Sequence, residues 1–328
     1  MNPEPAVGPK NVETPTLPQT ARPETPGFAA PSGQRYVLIT PARNEVAFIE
    51  KTLKSVVSQT VHPLKWVIVS DGSTDGTDEL VAKYAAQHPW IELLRMPERT
   101  ERHFAGKVHA FNAGYARVKD LAFDAIGSLD ADISFEPGYF SFLLAQLAQN
   151  PKLGLVGTPF RENGANHYDY QFVSIEHVSG ACQLFRRACF ADIGGYIPAK
   201  AGGIDHIAVV TARMKGWATR TFTEKYCEHH RKMGTAKHGA IKTKLQVGKL
   251  DYALGGHPLW ELFRSMYQLT RPPFIIGGVM IFAGYFGSML RRAERSVPKE
   301  FVQFRRREQM LRLQKFIARR FGLQSAPR

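Results

Sequence analysis

The chain has 328 residues, 44% of them hydrophobic and 22% charged, enough apolar material for one large core or two smaller ones. Three cysteines (Cys182, Cys189 and Cys227) form an odd set without metal-ligand spacing, which excludes a cysteine-built metal site and fits small core residues in a reducing compartment. The formal charge of +14 is uneven, because residues 291–328 hold twelve Lys or Arg against three Glu. Such a basic tail speaks of anionic partners (phosphates, lipid headgroups or nucleic acid) and not of a fold.

Residues 1–33 carry eight of the 21 prolines and few large apolar side chains, which reads as a disordered arm. The arm lacks the basic-then-apolar layout of a secretory signal, so export is not expected. Short β-rich runs then alternate with helical patterns. Strands are predicted over 36–40, 64–70, 91–95 and 123–129, with helices over 45–58, from about 77 to 87, and over 108–118. A helix over 138–149 and a strand over 153–158 follow, then a mixed apolar and basic segment over 180–190. A helix over 204–215 and a strand over 218–223 close this part, and residues 226–257 turn polar and basic.

This alternation predicts an α/β fold, a mostly parallel sheet with helices on both faces. In open sheets of that kind ligands sit beyond the carboxyl ends of the strands. The polar clusters at 40–45, 71–77 and 130–132 all fall at such ends, which points to one shared site. Within the last cluster Asp130 and Asp132 are two apart on an extended chain and can face one ligand together. Two hard oxygen donors there suit Mg²⁺ or Mn²⁺ bridging a nucleotide diphosphate.

Residues 274–290 contain no charge and are flanked by Arg271 and Arg291-Arg292. At seventeen residues the run is just short of the ~20 that a spanning helix needs, and four glycines interrupt it. Spanning, re-entry and packing as a buried helix all remain open, with basic ends placed where anionic headgroups would lie. Beyond Pro298, residues 301–321 mix apolar positions with arginines in the manner of a helix lying on a membrane surface.

Five signatures occur in order: Thr40-Pro41-Ala42-Arg43-Asn44-Glu45, Asp71-Gly72-Ser73-Thr74-Asp75-Gly76-Thr77, Gly106-Lys107 with Asn112-Ala113-Gly114, Asp130-Ala131-Asp132, and Gly194-Gly195-Tyr196 with Gly203-Ile204-Asp205-His206. The ordered set resembles the family 2 glycosyltransferases, inverting enzymes of the GT-A fold that use nucleotide-diphospho sugars, over residues 35–225. The resemblance implies that Asp71 hydrogen-bonds the nucleotide base, that Pro41 and Glu45 line the nucleoside pocket, and that Lys107 lies near the base or diphosphate. It further implies that Asp130 touches the ribose or the metal's water shell, that Asp132 ligates Mg²⁺ or Mn²⁺, and that Asp205 is the general base. Many relatives carry an acidic pair at this last position. Here only Asp205 is acidic, and His206 is placed to replace or assist it. His229, His230 and Arg231, followed by Lys232, Gly234, Thr235 and Lys237, stand where some relatives close a loop over the diphosphate. The Gln-X-X-Arg-Trp motif of polymer-forming relatives is absent from this region, which favours addition of a single sugar.

The expected organisation is a disordered arm (1–33), a GT-A catalytic domain (34–225), a basic region closing the active site (226–260), an apolar membrane-associating segment (261–295) and a basic amphipathic tail (296–328). A UDP-sugar is the favoured donor, and a glycan or lipid-linked precursor at the cytoplasmic face of the plasma membrane is the expected acceptor. A sugar nucleotidylyltransferase usually starts with a Gly-rich loop after the first strand, and residues 40–45 hold no glycine. No recognised nucleic-acid module accompanies the arginines of the tail, so no nucleic-acid partner is expected.

Overall fold

The computed structural model describes residues 33–97, 104–162, 164–166, 173–231 and 239–320. The arm up to residue 32, and with it Lys232, Gly234, Thr235 and Lys237, lies outside the described residues.

In chain order the first half runs β1 (Tyr36–Ala42), α1 (Ile49–Val57), β2 (Lys65–Asp71), α2 (Thr77–Gln87), β3 (Ile91–Met96), α3 (Phe104–Val118), β4 (Ala125–Leu129), β5 (Ile133–Ser134) and α4 (Tyr139–Gln149). Then come β6 (Leu153–Gly157), β7 (Phe160–Glu162), β8 (Ala165–Asn166), β9 (Cys182–Arg186), α5 (Arg187–Asp192), α6 (Ile204–Met214), β10 (Ala218–Thr221) and β11 (Cys227–His229). Four helices finish the described chain: α7 (Ala240–Ala253), α8 (Pro258–Leu269), α9 (Ile276–Leu290) and α10 (Lys299–Arg320).

The main sheet has seven strands in the order β10-β6-β9-β4-β1-β2-β3, and a smaller sheet has the order β5-β11-β7-β8. Neighbours in the main sheet are parallel except at β9, which runs antiparallel between β4 and β6. The fold is therefore the α/β, mostly parallel arrangement that the alternation predicts, and the mixed segment 180–190 resolves into β9 and the short α5. Side-chain alternation along β1 and β2 feeds two separate cores. Tyr36, Leu38, Trp66 and Ile68 bury on one face, while Val37, Ile39, Val67 and Val69 bury on the other. Helix α3 presses on the second face through Gly114, where a Cβ would lie 2.7 Å from Ile39 Cγ2 and 2.9 Å from Val69 Cγ2.

Two boundaries differ from the sequence pattern near the site. Helix α1 starts at Ile49 because residues 45–48 form a turn, with the Phe48 and Ile49 amides donating to the Glu45 carbonyl. Helix α3 starts at Phe104, four residues before the predicted position.

The C-terminal helices bear on two readings of the sequence. Helix α9 has 15 residues, which at 1.5 Å per residue is about 22 Å, short of a ~30 Å hydrocarbon core. Among the described residues no helix is long and apolar enough to cross a membrane, so the spanning reading of 274–290 falls. One face of α9 packs instead on α7 with the backbones in contact: a Cβ on Gly284 would sit 2.2 Å from the Leu245 carbonyl oxygen.

Helix α10 does not lie free as a surface helix. It buries Phe301, Val302, Arg305, Gln309 and Leu313. Several of its charges are engaged internally: Glu308 binds Arg213 on α6 through two contacts of 2.6 and 2.9 Å, Arg312 reaches Glu176 at 3.1 Å, and buried Arg305 pairs with buried Asp251 on α7.

Candidate active site

The loops after β1 and β2 are laced together. The Asn44 amide donates to Ser73 Oγ (3.1 Å), and the Thr74 amide donates to Asn44 Oδ1 (2.8 Å). The Glu45 amide donates to Thr77 Oγ1 (2.8 Å) and the Val46 amide to Asp75 Oδ2 (3.1 Å). Asn44 takes φ +55°, a conformation its short amide tolerates. Asp75 and Thr77 thus hold the loop, while Asp71 ends β2 as a buried carboxylate and Pro41 lies in β1 beside Val69.

The turn after β4 is fixed from below by α1, whose Thr52 hydroxyl reaches the carbonyls of Ala131 (2.9 Å) and Ile133 (2.7 Å). Strand β11 then pairs antiparallel with β5, setting His229 opposite Ile133, and the His230 amide donates to the Asp132 carbonyl (2.9 Å). Alternation along this strand separates the two histidines. His229 Nε2 lies 3.6 Å from Asp132 Oδ1, and its buried Nδ1 has no hydrogen-bond partner. His230 turns the other way, 2.8 Å from Ser134 Oγ and 3.4 Å from Lys51 Nζ.

Asp130, Asp132 and His229 offer ligand atoms that all lie within 4.8 Å of one another. Two carboxylates and an imidazole whose Nε2 faces them, with Nδ1 turned toward Glu162 at 3.9 Å, form a donor set that fits a divalent cation. Two side-chain cations press on these acids. Lys107 Nζ is 2.5 Å from Asp130 Oδ1, while Arg231 is 3.3 Å from Asp132 Oδ2 and also pairs with Glu45.

Burial governs the titration of these acids, and their mutual repulsion adds to it. Burial pushes the Glu45 carboxyl up to about 7, with Arg231 opposing and the Asp132 and Asp130 charges adding to the rise. Burial likewise raises Asp130, against the pull of Lys107. Burial alone would depress Lys107, but the Asp130 carboxylate overrides it and the ammonium is held above its ordinary value.

Asp205 sits in the first turn of α6, after Gly203 at φ +75°. Its carboxylate lies against Gly180, where a Cβ would come within 2.9 Å of Oδ2, and its charge acts on Lys107. His206 is set apart. Burial, with Arg305, His177 and Arg213, pushes it well below its ordinary range, and Nε2 is buried without a partner. Its electrostatic neighbours belong to the C-terminal side of the molecule and not to the acidic cluster.

The structure therefore brings Glu45, Lys107, Asp130, Asp132, His229 and Arg231 into one cleft with Asp205 beside it, and leaves His206 and His230 engaged elsewhere. The sequence left His229 and His230 together as imidazoles that could reach the metal or the pyrophosphate, and the structure separates them, with His229 beside the two aspartates. The period-2 alternation of a strand through 227–229 was the signal that could separate them.

The glycosyl transferase family 2 model matches residues 37–202, half of the chain, and the protein belongs to that family. Asp205 lies just beyond the matched stretch. The poly-beta-1,6-N-acetyl-D-glucosamine synthase of Staphylococcus epidermidis is 25% identical over 174 residues, covering 46% of this chain and 39% of the relative. The synthase of that name from Staphylococcus aureus strain COL is 26% identical over 170 residues, with the same coverage. The match thus spans well under half the length of these relatives. Among solved structures, a mannosyltransferase from Pyrobaculum calidifontis in complex with GDP-Man and Mn²⁺ superposes with a TM-score of 0.54 at 18% identity, covering 92% of this chain and 84% of that one. Staphylococcus aureus TarS 1–349 in complex with UDP-GlcNAc gives 0.50 at 15% identity, over 79% and 73%. At such identities the likeness establishes the GT-A glycosyltransferase fold alone.

Proposed function

We propose that the protein is an inverting glycosyltransferase that moves one sugar from a nucleotide-diphospho sugar to a hydroxyl acceptor. The observation that carries this reading is the convergence of Asp130, Asp132 and His229 within 4.8 Å, at the carboxyl end of the sheet and flanked by Lys107 and Arg231. Asp130, Asp132 and His229 would hold a divalent ion, and the imidazole favours Mn²⁺ over the strictly oxygen-seeking Mg²⁺. When bound, such an ion neutralises charge on a departing nucleoside diphosphate, as a Lewis acid.

The chain's own groups supply the rest. Asp71, a buried acceptor at the end of β2, suits the imide N–H of uracil, and Pro41 and Glu45 flank that end of the cleft. Lys107 and Arg231 present N–H donors to diphosphate oxygens. Asp205 accepts the proton of the attacking hydroxyl, a role worth ~10²–10⁴-fold. A UDP-sugar is the favoured donor. Relatives named as poly-beta-1,6-N-acetyl-D-glucosamine synthases support a glycan acceptor, and a glycan or lipid-linked precursor at the cytoplasmic face of a membrane is the acceptor of this reading.

The test uses the full chain with a panel of sugar nucleotides and Mn²⁺. Asp132→Asn is expected to lose both Mn²⁺ binding and transfer. Asp205→Asn is expected to keep Mn²⁺ and nucleotide binding while transfer falls at least a hundredfold. Full activity of both folded variants would overturn the assignment, and release of pyrophosphate from a nucleoside triphosphate would indicate nucleotidylyl transfer instead.

A further inference from the structure

Helices α8 and α9 are amphipathic in an unusual sense, for each keeps an apolar stripe on the outside. On α8, Leu259, Leu262, Met266 and Leu269 recur at helical spacing and are all exposed, while Glu261 and Ser265 on the opposite side are buried. On α9, Ile276, Val279, Phe282 and Leu290 are exposed, while Gly277, Gly278, Ile281, Gly284 and Tyr285 face the protein. The two helices pack closely, since a Cβ on Gly278 would meet the Ser265 carbonyl oxygen at 2.4 Å. The turn between them carries Phe274 and Ile275 at 63% and 66% exposure, and Leu290 reaches 81%. Apolar contact faces are ordinarily turned inward, and contiguous exposed patches of this kind mark an interaction surface.

We propose that the α8–α9 hairpin docks on a lipid bilayer, inserting its outer apolar stripes and the 274–276 turn into the headgroup–acyl boundary without crossing it. Three features select a membrane. Helix α9 is too short to span, yet a helix of its kind can lie in the interface. Between Arg271 and Arg292 there is no acidic residue, and Arg271, Arg291 and Arg292 are exposed at the ends of the apolar segment, where anionic headgroups complement them. A second copy of the chain would bring these like-charged rims together. The attachment surface is then this hairpin, while Arg305 and Arg312 of the basic tail are engaged with Asp251 and Glu176.

The experiment is co-sedimentation of the full chain with vesicles of phosphatidylcholine alone or with 30% phosphatidylglycerol, alongside sizing in solution. The wild type is expected to bind the anionic vesicles and to lose part of that binding in high salt. F274S/I275S, with unchanged circular dichroism, is expected to bind at least tenfold more weakly. R291Q/R292Q is expected to lose the salt-sensitive part alone. Undiminished vesicle binding by F274S/I275S would overturn the proposal. So would failure of the wild type to bind anionic vesicles, whether or not a dimer sensitive to F274S/I275S takes its place.

Discussion

Arg231 occupies the position a divalent ion would contest. It lies 3.3 Å from Asp132 Oδ2 and pairs with Glu45, so an incoming ion must displace it. The guanidinium side chain is 33% exposed, and solvent therefore screens its contacts. A net worth of about 1.4 kcal/mol is reasonable for a partly exposed pair of this kind, roughly tenfold in an equilibrium constant. Arg231→Gln should then bind Mn²⁺ about tenfold more tightly in the absence of nucleotide. With Mn²⁺ saturating, the same variant should bind UDP about tenfold more weakly, because a donor to the diphosphate has gone. Titration of free Mn²⁺ by electron paramagnetic resonance measures the first quantity, and calorimetry with UDP the second. The assay belongs at pH 8. Arg231 lowers the Glu45 carboxyl, which already stands near 7, and its loss would push that carboxyl further up and mask part of the gain at neutral pH. Unchanged or weaker Mn²⁺ binding by the variant would refute the idea that the arginine competes with the metal.

Removing an imidazole ligand should do the opposite: His229→Ala is expected to weaken Mn²⁺ binding at least tenfold while leaving the fold intact, and unaltered affinity would remove His229 from the donor set. Glu261 offers a pH test of stability. Burial, reinforced by Asp251, raises it from 4.5 to about 9, so the folded chain keeps a proton that the unfolded chain releases across that window. This contribution is complete below pH 4.5 and is lost as pH rises toward 9. The wild-type Tm should therefore fall more steeply than that of Glu261→Gln between pH 6 and 9, and parallel profiles would contradict it. Gly284→Ala places a methyl 2.2 Å from the Leu245 carbonyl oxygen. Separating α7 from α9 should cost about 1–3 kcal/mol, a drop of several degrees in Tm, and a neutral variant would deny the close contact.

The sheet was legible because its strands are short, continuous apolar runs and its polar clusters fall where those runs end. Asp71, Asp130 and Asp132 could be placed at strand ends from that pattern alone. The start of α1 was not legible. Its first predicted turn is held out of the helix by Ser73, Asp75 and Thr77, which come from a loop about thirty residues away in sequence. Nor could a pattern of period 2 or 3.6 show that β9 enters the sheet antiparallel, since period is indifferent to direction.

The basic tail shows that a charge count has no knowledge of partners. Arg305 meets Asp251, Arg312 meets Glu176, and Glu308 reaches back 95 residues to Arg213. Those pairs turn an apparent surface helix into the brace that ties α6, and Asp205 with it, to the C-terminal helices. The uncharged segment 274–290 could not be settled between spanning, re-entry and packing for a related reason. Hydropathy records that a residue is apolar but not which side of its helix the protein already covers, and on α9 Gly277, Gly278, Ile281, Gly284 and Tyr285 are covered while Ile276, Val279, Phe282 and Leu290 face out. Such a helix buries Ile281 and Tyr285 in the protein and leaves its other large apolar side chains wholly or partly outside it. The side chains left outside, Ile276, Val279, Phe282 and Leu290, are the ones that the proposed bilayer contact would cover.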